Sequence, residues 1–149
     1  MHNVKRSVLV PYSPERMFDL VADVARYPEF MPWCGGATVL EQTDTSMRAS
    51  ITISLAGLKQ SFTTQNTHDY PRSIHLSLVD GPFSALEGHW EFQPLGEAGD
   101  ACKVLFTLEY AFSSRTLEML VGPVFNRVAS SFIDAFSQRA DALYGNDSA

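Results

Sequence analysis

The residues with chemistry to offer are few, and their spacing limits what they can do. The four histidines, His2, His68, His75 and His89, make no HxH or HExxH pattern, and no carboxylate joins them at ligand spacing. Cys34 and Cys102 form no CxxC pair and no zinc spacing; they read as two free, partly buried thiols of a reducing compartment. There is no GxSxG elbow, no phosphate-cradling glycine loop and no GxGxxG. What remains is a row of polar residues at alternate positions, Thr64, Asn66 and His68, with Tyr110 in a later stretch. Alternation puts the row on one face of a strand. On an inward face these groups either satisfy one another and water at a cavity rim, or hydrogen-bond the polar head of a ligand. Acid–base catalysis would need the same groups converging in a cavity. No catalytic residues are expected from these patterns, and the residues alone leave the rim and head-group readings open.

The elements that must position this row are those of a single globular domain, expected over residues 1–144, with a disordered tail at 145–149. The 149 residues are 45% hydrophobic and 19% charged, enough for a sizeable core. The net charge is -6, from 11 Lys and Arg against 17 Asp and Glu, which argues against DNA or any broad phosphate-backbone partner. No apolar run reaches the ~18 residues of a membrane span, and the N-terminus lacks a secretory h-region. The expectation is a cytoplasmic protein with access to a membrane surface.

Ser114 to Leu143 carries large apolar residues at helical spacing, with Asn126, Arg127, Ser130, Asp134, Gln138 and Asp141 opposite. At ~1.5 Å per residue it predicts a helix ~45 Å long. Its apolar arc is wide and needs a broad partner surface. Pro123 predicts a bend, either fitting the helix to a curved sheet or hinging it. Val4 to Val10 predicts a first strand. Ser13-Pro14-Glu15 predicts a helix start, with Ser13 as cap and Pro14 in the first turn, and a helix to about Val24. A second short helix is expected at 25–31, interrupted by Pro28. Six strands follow, at 37–44, 47–56, 60–69, 73–79, 86–94 and 102–112, separated by Gly, Pro and Asp turns. An antiparallel sheet of about seven strands, polar on one face, has one other face to bury. The terminal helix can cover it, and a twisted sheet around a long helix leaves a gap suited to an apolar ligand.

Tyr12 to Val24, followed by Tyr27-Pro28-Glu29-Phe30 and Pro32-Trp33-Cys34, resembles the signature of the coenzyme Q-binding family of START-like domains. Asp80-Gly81-Pro82-Phe83, the residues Leu86, Gly88, Trp90 and Phe92, and the stretch from Phe132 to Ala140 are similar to the same family. The resemblance spans nearly the whole chain, and its first motif is long and specific. It implies an α+β helix-grip fold and a noncatalytic carrier of ubiquinone or a related isoprenoid lipid. That lipid would be a cargo rather than a catalytic cofactor, taken up with transient contact at the inner membrane. The family also includes bacterial ribosome association toxins, which implies a second reading, binding to the large ribosomal subunit through basic residues such as Lys5, Arg6, Lys59 and Arg72. An older label of polyketide cyclase or dehydrase implies a third.

The expected lining of the cavity is aromatic on the sheet side: Phe62, Phe83, Trp90, Phe92, Phe106 and Tyr110, with Ile53 and Leu76. Phe30 and Trp33 would sit at its mouth, where they either dip into a bilayer or staple the short helices to the sheet. Leu120, Val121, Val124, Phe125, Val128 and Phe132 would form the helix wall. Thr64, Asn66 and His68 are the head-group candidates, and the resemblance marks Phe83 as a gate. Each aromatic has an alternative reading as ordinary core.

Overall fold

A computed structural model describes residues 1–55 and 57–145. Strand β1 (His2–Val10) leads into α1 (Pro14–Ala22) and a 3-10 segment (Val24–Glu29). Six strands then run as a meander: β2 (Cys34–Gln42), β3 (Ser46–Leu55), β4 (Leu58–Asp69), β5 (Ser73–Asp80), β6 (Phe83–Leu95) and β7 (Ala101–Phe112). Helix α2 (Arg115–Tyr144) closes the fold. All seven strands form one antiparallel sheet in the order β1-β7-β6-β5-β4-β3-β2. The first strand therefore pairs with the last, and α2 lies over β1 and β7 and touches α1. This is the α+β helix-grip architecture.

Local chemistry explains the element ends. Ser13 caps α1 by accepting from the Arg16 amide at 3.3 Å, and Ser114 caps α2 by accepting from Leu117 at 3.1 Å. Helix α1 stops at Ala22, two residues short of the expected end, because Asp23 turns out of the helical region at ψ 66°. The second expected helix is the 3-10 segment. Pro28 within it has no amide to donate and obstructs an α-helical turn. Tyr27 fixes the segment to α1 by donating its hydroxyl to the Val21 carbonyl. Arg139 of α2 holds its other end, bonding Glu29 at 3.1 Å and lying 5.0 Å from the Phe30 ring centre. Helix α2 runs continuously through Pro123, which lies exposed on its outer side.

The buried stripe of α2 is narrower than its apolar composition suggests. It runs through Val121, Phe125, Val128, Ala129, Ile133, Phe136 and Ala140. Leu120 lies about 100° round the helix from Val121, and it is 64% exposed. The basic residues expected to cluster also separate. Lys59 is at the start of the 12-residue β4 and Arg72 lies in the turn beyond its far end, while Lys5 and Arg6 are on the edge strand β1. Residues 146–149 of the expected tail lie outside the described residues.

Candidate functional site

The site is a cavity between the sheet and α2, closed at one end by α1 and the 3-10 segment. Strands β3 to β7 contribute inward residues at alternate positions, including Ala49 and Ile51, Ile74 and Leu76, and Phe106 and Leu108. Helix α2 contributes Phe125, Phe132 and Phe136, spaced seven and four residues apart. Val21, Ala22, Val24 and Tyr27 cover the end. Small residues keep the space open. Ala22 and Ala49 face it with single methyl groups. Outside the lining, Gly88 lets the Leu76 and Leu108 side chains lie close over its backbone. A methyl group at Gly88 would approach them to 3.0 and 3.2 Å.

The free volume is about 50 Å³. A pocket that engulfs a drug-sized ligand has ~300–1,000 Å³, while one water needs roughly 10–15 Å³. The cavity as it stands holds a few waters. A larger ligand enters only if side chains move.

Three polar side chains interrupt an otherwise apolar lining: Thr64, Asn66 and His68, consecutive inward positions of β4. Thr64 donates its hydroxyl to Asn66 Oδ1 at 2.7 Å. His68 packs edge-on against Phe18, ring centres 5.5 Å apart. Its Nε2 is buried and has no hydrogen-bond partner among the described residues. Loss of water pushes the His68 pKa down, favouring the neutral ring. The lining contains no Lys, Arg, Asp or Glu, so it offers no counter-charge to a charged ligand.

Of the residues expected to line the cavity, Phe62, Leu76, Trp90, Phe106, Phe125 and Phe132 do so, with Thr64, Asn66 and His68. The others lie elsewhere. Phe83 belongs to a packed aromatic cluster behind the lining, 5.8 Å from Phe62, 4.9 Å from Phe125 and 5.1 Å from Phe112 between ring centres. Tyr110 joins the cluster at 4.7 Å from Phe125 and donates to Asn126 at 3.3 Å. Trp33 backs Phe132 at 5.2 Å and Phe92 stacks on Trp90 at 6.4 Å, each one layer behind the lining. Phe30 packs on Phe136 under Arg139, which makes it a staple between the 3-10 segment and α2. Ile53, Val121 and Val128 are buried in the surrounding core, and Val124 is half-buried at its margin. Leu120 faces outward and lines nothing.

Sequence reasoning passed over Val21, Ala22, Val24 and Tyr27 at the closed end, Ala49, Ile51, Ile74, Leu86 and Leu108 on the sheet, and Phe136 on α2. Strand parity was the available signal for Ala49, since it shares a face with Ile51 and Ile53. Helical spacing was the signal for Phe136, four residues beyond Phe132. Among the described residues no group of three or more His, Cys, Asp or Glu is placed to hold a metal ion, and no helix is long and apolar enough to cross a membrane.

Comparison with known proteins places this geometry. A family profile described as polyketide cyclase / dehydrase and lipid transport matches residues 10–137. The ribosome association toxin RatA of Vibrio cholerae is 51% identical, with 97% of this chain and 99% of that one covered. The mitochondrial coenzyme Q-binding protein COQ10 homolog B of Xenopus laevis is 28% identical, covering 93% of this chain and 58% of that one. The solved START superfamily protein of Mycobacterium smegmatis superimposes with a TM-score of 0.75 over 96% of this chain and 99% of that one. At 20% identity it shares the fold alone.

Proposed function

Since the chain belongs to the polyketide cyclase / dehydrase and lipid transport family, and its architecture is a ligand-binding one, we propose that it carries an uncharged, ring-bearing lipid, an isoprenoid quinone of the ubiquinone type. The lipid sits between the sheet and α2, and the protein acts as a carrier rather than a catalyst. One observation carries the reading: an apolar cavity lined by Trp90, Phe106 and Phe132 whose few polar groups stand together on one strand. The coenzyme Q-binding relative supports the choice of quinone. At about 50 Å³ the cavity is the closed state. Phe132, half-buried and on the helix wall, is the side chain whose displacement admits a ring, with the isoprenoid tail following the apolar wall outward. Loading takes place from the cytoplasmic side, by brief contact with the inner membrane.

The two tryptophans provide the test. Trp90 lines the cavity and Trp33 does not. Titrating ubiquinone-1 into Trp33→Phe protein should quench the remaining Trp90 fluorescence saturably. Quenching that stays linear with quinone concentration, in this variant and in the wild type alike, removes the reading.

A second role has its own support, the 51% identity to a ribosome association toxin across nearly the full length of both chains. On α2, Arg115, Met119, Pro123 and Arg127 follow at four-residue steps, and all four are exposed. This mixed basic and apolar stripe suits a ribonucleoprotein partner better than the scattered strand lysines do. Sucrose gradients decide this role. Adding the protein should raise free subunits over 70S particles, and Met119→Ser with Arg127→Glu should restore the 70S peak. An unchanged wild-type profile refutes it.

A further inference from the structure

One side chain of the cavity lining carries a buried polar atom with no partner among the described residues. A buried donor or acceptor without a partner costs on the order of 1–3 kcal/mol, and native structures retain few of them. His68 Nε2 is such an atom, and it belongs to a side chain that lines the cavity. Its neighbours on the same strand face are not equivalent to it. Thr64 spends its hydroxyl proton on Asn66 Oδ1. That bond engages the Asn66 side-chain oxygen and not its nitrogen, and Asn66 stands two positions from His68 on the strand. At ~3.3 Å per residue the two inward positions stand ~6.6 Å apart, close enough for one ring substituent and its neighbour to meet both.

We propose that His68 and Asn66 form the head-group subsite of this cavity, with His68 Nε2 hydrogen-bonding a carbonyl or hydroxyl oxygen on an uncharged ring. Thr64 orients the Asn66 amide for the same ligand. This deepens the carrier reading and rests on it. The chemistry narrows the ligand class. A neutral imidazole protonated at Nε2 donates to a carbonyl, and its other tautomer accepts from a hydroxyl, so oxidised and reduced forms of one ring can both be held. A carboxylate finds no cation anywhere in the lining, which excludes fatty acids as the preferred cargo. The apolar remainder of the ligand then points away from β4, towards Phe125 and Phe132.

Duroquinone and durene test this: both carry four methyl groups on a six-membered ring, and the quinone has two carbonyls where durene has two aromatic C–H groups. Relative to His68→Leu, the wild-type protein should favour duroquinone over durene by a further ~3- to 10-fold, the ratio of one net hydrogen bond. The quantity compared is the duroquinone-to-durene affinity ratio within each protein, so a change in overall affinity on replacing this lining residue cancels. Tetramethylbenzoate should bind more weakly than durene at pH 7. As a readout that needs no variant, duroquinone should shift the imidazole 15N signal of His68 Nε2 in the wild-type protein. An unaltered ratio in His68→Leu, or an unmoved Nε2 signal, overturns the subsite while leaving the apolar carrier intact. If neither ring compound binds, the carrier reading fails and the subsite fails with it.

Discussion

Ala49→Val distinguishes a real cavity from ordinary core by the sign of its effect. Ala49 is 2% exposed and faces the cavity from β3, opposite Thr64 on β4 and Val39 on β2. Valine adds two methyl-sized groups at that point. In a filled core this overpacks the site and costs ~1–3 kcal/mol. In a cavity of about 50 Å³ the added groups are buried without displacing neighbours. At ~0.8 kcal/mol each they contribute roughly 1.6 kcal/mol, less ~0.5 kcal/mol for ordering the side chain. The expected outcome is a gain of about 1 kcal/mol. In urea, with m of ~1–3 kcal/mol per molar, the midpoint should rise by roughly 0.3–1 M at unchanged m. Tm should rise by ~2–4 °C. The same variant should lose the stabilisation that a saturating ring ligand gives the wild type. A fall in the urea midpoint refutes the cavity. A rise with ligand stabilisation intact places the ligand elsewhere.

Two further outcomes follow from the same geometry. Phe125 is 1% exposed and meets Phe62, Phe83, Tyr110 and Phe112, so Phe125→Ala should cost ~3–5 kcal/mol in urea unfolding. Added durene should recover part of that loss by filling the enlarged space; a cost under 1 kcal/mol contradicts the packing. The second concerns acid. Burial holds the His68 pKa below its ordinary 6.5 in the folded protein, so below pH 6.5 the unfolded chain binds the proton more readily. Stability from this group is present above pH 6.5 and is lost as pH falls towards the folded pKa. The midpoint difference between wild type and His68→Leu should therefore shift against the wild type between pH 7 and 5. Parallel curves refute the burial of a neutral ring.

The elements were largely legible. The period of α2, the Ser13-Pro14 start and the alternation of β3, β5 and β7 each carry a local signal that packing did not override. Parity also placed Thr64, Asn66 and His68 on the inner face, because a half-buried strand has only two faces to choose from. The depth of the cavity along the strands was not legible. A void is made where side chains are small, as at Ala22 and Ala49, whereas sequence draws the eye to Phe83, Phe92 and Tyr110. Those large rings fill space and ended up in or behind the wall. Leu120 failed for another reason: an apolar composition on α2 does not say which 100° of it meets the sheet, and only the stripe from Val121 to Ala140 does. The partner of His68 Nε2 depends on side chains from separate elements, and no local pattern encodes its absence.

The central claim is that the cavity holds a neutral ring-bearing lipid. Its most direct test is organic extraction of the protein purified from its native host under mild conditions, followed by mass spectrometry, with Ala49→Val extracted in parallel. An isoprenoid quinone recovered near stoichiometry from the wild type, and strongly depleted in Ala49→Val, is the predicted result. No lipid in the wild type after both isolation and loading with ubiquinone-1, or equal recovery from the filled variant, contradicts the account.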